Sequence, residues 1–173
     1  AFSHCVGSRD QTVGNPYCSR VCCTVVAKQA LLLKQSHPQT HIYVFFMDVR
    51  TFGKGYEELF EEAQRAGVIY VRANPGEIFP RGDKLVLRYE DTLLGRPAEL
   101  EVDMVVLAIG MEPPKGTREL MKRLRLNASS DGFFLEAHPK LGPVDTTSEG
   151  IYLAGCCQGP KDLPDTLSQA HAA

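Results

Sequence analysis

Hydrophobic positions along this chain switch between unbroken apolar runs and stretches with helical spacing. HIYVFFMDV, residues 41–49, is a continuous apolar run, the pattern of a strand buried on both faces. Ahead of it Val21, Val25, Val26, Leu31, Leu32 and Leu33 recur at helical spacing. Asn15-Pro16 reads as N-cap and first helical residue, so one helix is expected from there to Leu33, ended by Ser36-His37-Pro38. A short apolar strand at the chain start carries Cys5 at its end. After the 41–49 strand come a Gly53-Lys54-Gly55 loop and a helix over 56–66 with Leu59, Phe60 and Ala63 inward. Its Glu57, Glu58, Glu61 and Glu62 form a solvated face, and Gly67 is placed to close it. VIYVRA, 68–73, is a third strand. The order β-α-β-α-β is the first half of a doubly wound α/β fold.

Further on, 84–89 and 99–102 alternate like a hairpin around Leu93-Leu94-Gly95-Arg96-Pro97. DMVVLAIGMEPP, 103–114, is an apolar strand ending in Gly110, and Glu112-Pro113-Pro114 marks a hinge. A short helix is expected over 117–126 and a strand over 133–136. GIYLAGCCQGPKDLPDTLSQA then reads strand, turn, helix. Gly155 permits a tight turn, Pro164 suits a first helical turn, and Asp162 or Asp165 is placed to cap it.

Composition narrows the classes. The 173 residues suffice for one core and part of another, and a formal net charge of −2 gives no reason to expect nucleic acid or a lipid surface as partner. No apolar run approaches the roughly 18–20 residues that span a bilayer, and Ala1-Phe2-Ser3-His4 has neither the basic start nor the apolar stretch of a secretory signal. Six cysteines, several adjacent, fit a reducing and therefore cytoplasmic setting with metal chemistry better than a disulfide scaffold. A start inside a strand without Met and a stop inside a helix at Ala172-Ala173 lead us to expect a piece of a larger protein.

Four of the cysteines, Cys5, Cys18, Cys22 and Cys23, are spaced C-x12-C-x3-C-C. On the expected helix Cys18 and Cys22 share a face, with Cys23 turned about 100° from them. A loop returning Cys5 to the helix start would set four thiolates around one point. Such a group at a helix N-terminus suits an iron–sulfur cluster, whose negative charge the free N–H groups and the helix dipole stabilise, with Arg9, Arg20 and Lys28 at hand. Buried free cysteines, structural zinc and a disulfide are the other readings, and the pattern alone leaves cluster and zinc standing together. The G-x-G-x-x-G of a dinucleotide site is absent from the first turn, where CVGSRD offers only Gly7, and Asp48 alone is weak evidence for ribose binding. A Rossmann-like lobe without dinucleotide binding is therefore expected.

CVGSRD followed by YCSRVCC resembles the cluster-binding segment of the heterodisulfide reductase HdrA family, flavoproteins related to thioredoxin reductase. The resemblance continues through VFFMDVRTFGKGYEELFEEAQRAGV, DMVVLAIGMEP, DGFFLEAHPKLGPVDTTSEGIYLAG and QGPKDLPDTLSQA. It implies an α/β, three-layer, thioredoxin-reductase-like lobe over 1–112 and the returning part of an FAD lobe over 113–173. It implies a 4Fe–4S cluster on Cys5, Cys18, Cys22 and Cys23. It also implies an FAD near Gly155, Cys156, Gln158, Gly159, Pro160, Lys161, Asp162 and Pro164. Relatives usually carry Gly-Asp at the flavin turn, and this chain departs from them with Gly155-Cys156. Cys156 and Cys157 read as small packing residues rather than a redox pair, since adjacent cysteines bridge with strain. Lys28 is either a snorkelling surface residue or a cation toward the flavin edge, about 7–9 Å along the helix axis from Cys22 and Cys23.

The function so implied is electron transfer between FAD and cluster within a complex of partner subunits, with flavin-based bifurcation as the family's wider chemistry. The piece alone is expected to be inactive, with no catalytic residue of its own. The alternatives are a pyridine nucleotide–disulfide oxidoreductase and a zinc-stabilised, non-enzymatic module.

Overall fold

Strand β1 (Phe2–Val6) is the inner rung of a parallel sheet in the computed structural model, which describes residues 1–173. The chain divides into two compact units. Ala1–Val6 and Cys22–Ile109 form the first, and Gly7–Val21 and Gly110–Ala173 form the second.

In the first unit α1 (Cys22–Ser36), β2 (Tyr43–Phe46), α2 (Tyr56–Arg65) and β3 (Ile69–Arg72) follow β1. An antiparallel meander comes next, β4 (Glu77–Arg81), β5 (Lys84–Asp91) and β6 (Arg96–Val102), and β7 (Val106–Ile109) closes the unit. The parallel sheet has the order β3-β2-β1-β7, and the meander forms a separate sheet, β4-β5-β6. Successive strand residues face opposite ways, so the two fully buried neighbours Val44 and Phe45 serve different cores. Val44 joins Phe2, Val26, Ala30, Leu31 and Ala63 beneath α1 and α2. Phe45 joins Ala73 and Leu87 on the meander side, its ring 4.8 Å from that of Tyr89. Burial of each such side chain stabilises the unit by roughly 1.5–3 kcal/mol. The result is helices, parallel sheet and antiparallel sheet in three layers, the expected α/β class.

The second unit is less regular. It holds α3 (Thr117–Leu124), a 3-10 turn (Gly155–Cys157) and α4 (Leu163–Ala172), around a small core of Met121, Phe134 and Leu153.

Several boundaries differ from expectation. The helix expected from Asn15-Pro16 begins only at Cys22. Asn15 is not a cap: its backbone pairs with Asp10, and its side chain donates to Gly7 O at 3.0 Å and to Glu112 at 2.7 Å. Arg20 then takes a left-handed φ of 62°, which no helix accommodates. Cys18 therefore shares no helical face with Cys22. Strand β4 lies outside the strands expected from the sequence; it contains Pro80, and as an edge strand it loses no ladder bond to the missing N–H. The strands expected over 133–136 and at Ile151 are isolated bridges, Ala128 with Phe134 and Asp145 with Tyr152.

Candidate functional site

The thiols of the first unit gather where β1 ends and α1 begins. Cys5, the fourth residue of β1, has a left-handed φ of 57°, a conformation that costs a side-chain-bearing residue roughly 1–2 kcal/mol. Cys22 and Cys23 open α1 and are buried, 7% and 4% exposed. Cys23 and Cys5 both hydrogen-bond to the Cys22 sulfur, and these two contacts hold the Cys22 thiol far below the ordinary thiol range. Cys23, as donor to Cys22 and in a buried position, is pushed up. No acidic residue occupies the first turn of α1, so nothing there opposes a thiolate at the positive end of the helix.

Two buried polar groups flank this nest. His4 is 3% exposed, its Nδ1 3.8 Å from Cys23 Sγ and its Nε2 without a hydrogen-bond partner. The Tyr70 hydroxyl is also buried and unpartnered; burial, with Cys23 second, pushes its phenol up to about 12. Neither residue stands out in the sequence. The only available signal is a histidine on an inward position of an apolar strand, next to Cys5. Lys28 lies exposed on α1. Asp48 pairs with Arg50 at 3.2 Å, and its carbonyl oxygen lies 4.0 Å from Cys23 Sγ.

In the second unit Cys18 Sγ accepts the Arg20 N–H at 3.3 Å, and Arg20 in turn binds Asp165 at 2.8 Å and Pro160 O at 3.3 Å. Arg20 is thus engaged with the 160–165 segment. That segment follows a turn held by a chain of side chains. Gly155, at φ 75°, donates its N–H to Gln169 Oε1 at 2.7 Å, Gln169 donates to Gln158, and Gln158 donates to Glu136 at 2.8 Å and to Pro143 O at 3.2 Å. Asp162, one of the two expected caps, accepts from Asp165 N at 2.9 Å at the start of α4. Cys156 and Cys157 donate to different carbonyls, Lys161 O at 3.7 Å and Ala154 O at 3.2 Å. Lys161 is half-buried, and burial, with the Arg20 charge second, lowers its pKa. An apolar cavity of about 630 Å³ opens beside the turn, walled by Met111, Phe133, Phe134, Cys156, Cys157 and Pro160.

The six cysteines form no disulfide, and no group of three or more His, Cys, Asp or Glu converges tightly enough to hold one metal ion. Convergence of four thiolates on one point would involve Cys18, which belongs to the second unit, with Cys5, Cys22 and Cys23 of the first. A 4Fe–4S cluster does not require it, because each cysteine binds a different iron and the ligands surround a body. The donor set of the first unit fits such a group: soft thiols at a helix start, one held by a strained backbone, with orphaned polar groups beside them. The cavity of the second unit, mostly apolar with Lys115 and Glu112 in its wall, fits a largely apolar ligand.

No protein-family model matches the chain. It is 51% identical, over its whole length, to the A subunit of the H2:CoB–CoM heterodisulfide,ferredoxin reductase of Methanothermobacter thermautotrophicus. It is likewise 51% identical, over 99% of its length, to the iron-sulfur A subunit of the CoB–CoM heterodisulfide reductase of Methanocaldococcus jannaschii. A protein of Archaeoglobus profundus, named as similar to the same heterodisulfide reductase component, is 47% identical over 99% of the chain. The chain spans about a quarter of these relatives, 27%, 27% and 24% of their lengths. Among solved structures, T. acidophilum thioredoxin reductase matches 90% of this chain and 52% of its own at a TM-score of 0.57 and 18% identity, a likeness of fold. No helix is long and apolar enough to cross a membrane.

Proposed function

We infer that this chain, HdrA-like along its whole length, belongs to the working interior of an electron-transfer flavoprotein and links an FAD to a 4Fe–4S cluster. The 51% identity over the full chain carries the reading, and the thiol nest at the start of α1 supports it. Cys5, Cys22 and Cys23 are the proposed ligands, with Cys18 the fourth on the spacing in sequence. Bound there, the cluster would exchange single electrons, and the flavin would take them singly or in pairs. The protein's part is to supply deprotonated thiolates, a helix end that favours negative charge, and a dry surround. Cys22, held low by its neighbours, is ready to lose its proton to a metal.

For the flavin we propose the turn and helix start of the second unit: Gly155, Cys156, Gln158, Gly159, Pro160, Lys161, Asp162 and Pro164. The Gly155 N–H already serves Gln169, so this turn binds through its shape, through Lys161 and through the first turn of α4. Lys28, exposed on α1, is proposed as the cation toward the flavin edge. Lys28→Met in the complete protein should then lower the flavin potential while iron content stays the same. An unchanged potential returns Lys28 to the surface.

Residues 1–112 would be the cluster-bearing lobe and 113–173 the returning FAD lobe of an oxidoreductase component. It would act in the cytoplasm with partner subunits, in a family setting that includes flavin-based bifurcation. The zinc alternative needs four donors around one ion and no sulfide. The decisive measurement is iron, acid-labile sulfide and zinc content after anaerobic purification. We expect four irons per cluster, and loss of iron and of visible absorption in Cys22→Ala. Zinc without sulfide, or full iron in each of the four single cysteine variants, would overturn the ligand assignment.

A further inference from the structure

His4 is out of character with its surroundings. The helix-facing side of the parallel sheet is otherwise built from Phe2, Val44, Val68 and the rings around Tyr70. Into that layer β1 inserts an imidazole that is 3% exposed, with Nδ1 3.8 Å from Cys23 Sγ and Nε2 without a partner. A neutral imidazole carries a single N–H, on one ring nitrogen or the other. A proton on Nε2 would leave a buried donor with nothing to receive it. A proton on Nδ1 leaves only a lone pair unsatisfied and directs the donor at sulfur. Of the two tautomers, the second wastes the weaker demand.

We propose that His4 is a positioning residue whose Nδ1–H donates to the Cys23 sulfur and raises the reduction potential of the cluster bound there. The proposal rests on the cluster reading above. In the protein as it stands the Cys23 thiol faces the Asp48 carbonyl oxygen at 4.0 Å. As a metal ligand it loses its proton and becomes an acceptor only. A fixed N–H at its sulfur then stabilises negative charge, and the reduced cluster carries one more negative charge than the oxidised. The bond therefore favours reduction. It also fixes the Cys23 rotamer, as the outer partners of ligating groups do.

Asn and Gln separate the two ring nitrogens, because the Asn amide nitrogen reaches the place of Nδ1 and that of Gln the place of Nε2. In the complete protein, purified anaerobically, His4→Leu should shift the cluster couple to lower potential by about tenfold in the reduction equilibrium, about 59 mV for one electron. His4→Asn should restore most of the shift and His4→Gln should not. In the metal-free protein, 15N NMR of the His4 ring should show the Nδ1-protonated tautomer. The proposal is overturned by an Nε2-protonated ring, or by an unmoved potential in His4→Leu at full iron and sulfide content. If His4→Leu loses its iron, the Asn and Gln variants decide, and equal potentials for the two overturn it. Wild-type protein without iron and sulfide sinks the cluster reading itself, a result the NMR measurement keeps apart from a failure of the hydrogen bond.

Discussion

The start of α1 and the start of α4 are built from the same parts and finished differently. Each is preceded by a residue in the left-handed region, Cys5 at φ 57° and Gly155 at φ 75°, and each carries an adjacent pair of cysteines nearby. Around α4 the polar groups satisfy one another: Asp162 caps the helix, and Gly155, Gln169, Gln158 and Glu136 form one connected chain. Around α1 they do not, since His4 Nε2 and the Tyr70 hydroxyl are buried without partners. A buried polar group normally finds its partner within the fold. A closed network therefore reads as a scaffold that presents a surface, and an open one as a place made to receive a group. On the function proposed above, the first region would hold the metal and the second would serve as a preformed cradle.

The largest effect should come from opening the closed network. Gln169→Leu removes the acceptor of the buried Gly155 N–H and the donor to Gln158. Leaving the Gly155 donor unsatisfied should cost about 2 kcal/mol, read as a lower midpoint in urea unfolding. A loss below about 0.5 kcal/mol would mean water replaces Gln169 easily, and the cradle would lose its claim to be a closed scaffold.

The two left-handed positions sharpen the contrast with opposite signs. Gly155→Ala adds a Cβ 3.1 Å from Thr166 Cγ2 at a φ that alanine disfavours, and should cost about 1–2 kcal/mol. Cys5→Gly relieves the same kind of strain. After the entropy a glycine adds to the unfolded chain, the metal-free protein should gain about 0.5–1 kcal/mol. The same variant should fail to hold a full cluster. Stability gained with metal lost is the signature of strain kept for a site. A destabilised Cys5→Gly would show instead that the Cys5 contact to Cys22 outweighs its backbone strain.

Much of this was legible in sequence. The apolar run at 41–49, the helix at 56–66 and the strand at 68–73 fix the β-α-β-α-β half sheet, and the observed elements fall inside those limits. The Cys22-Cys23 pair at a helix start was visible in kind, though not in place. Asn15-Pro16 has the chemistry of a cap, but Asn15 spends its side chain on Gly7 O and Glu112, a partner 97 residues away. Strand β4 carries Pro80, a residue disfavoured inside a sheet and tolerated at its edge, and sequence pattern does not say which strand will be the edge. The orphaned groups at His4 and Tyr70 could not be read at all. An unmet hydrogen bond is defined by everything packed around it, and a one-dimensional pattern does not contain that surround.

The smallest effect is the most direct test of the open region. The Tyr70 ring lies edge-on to Phe60, with centroids 4.7 Å apart, and to Phe46 at 6.0 Å. Phenylalanine keeps both contacts and deletes only the unpartnered oxygen. Removing a buried hydroxyl that makes no hydrogen bond should stabilise the metal-free protein by up to about 1 kcal/mol. The gain should also depend on pH. The folded phenol is raised to about 12 from an ordinary value of 10.0, so above pH 10 the unfolded wild-type chain releases this proton before the folded one does. The unfolded state then binds fewer protons, and stability falls as pH rises from 10 towards 12. Tyr70→Phe has no such proton, so its advantage over wild type should widen across that window. A Tyr70→Phe protein that is less stable at neutral pH would show that the hydroxyl has found a partner. The region around α1 would then be closed like the one around α4, and the case for a missing group there would rest on the cysteines alone.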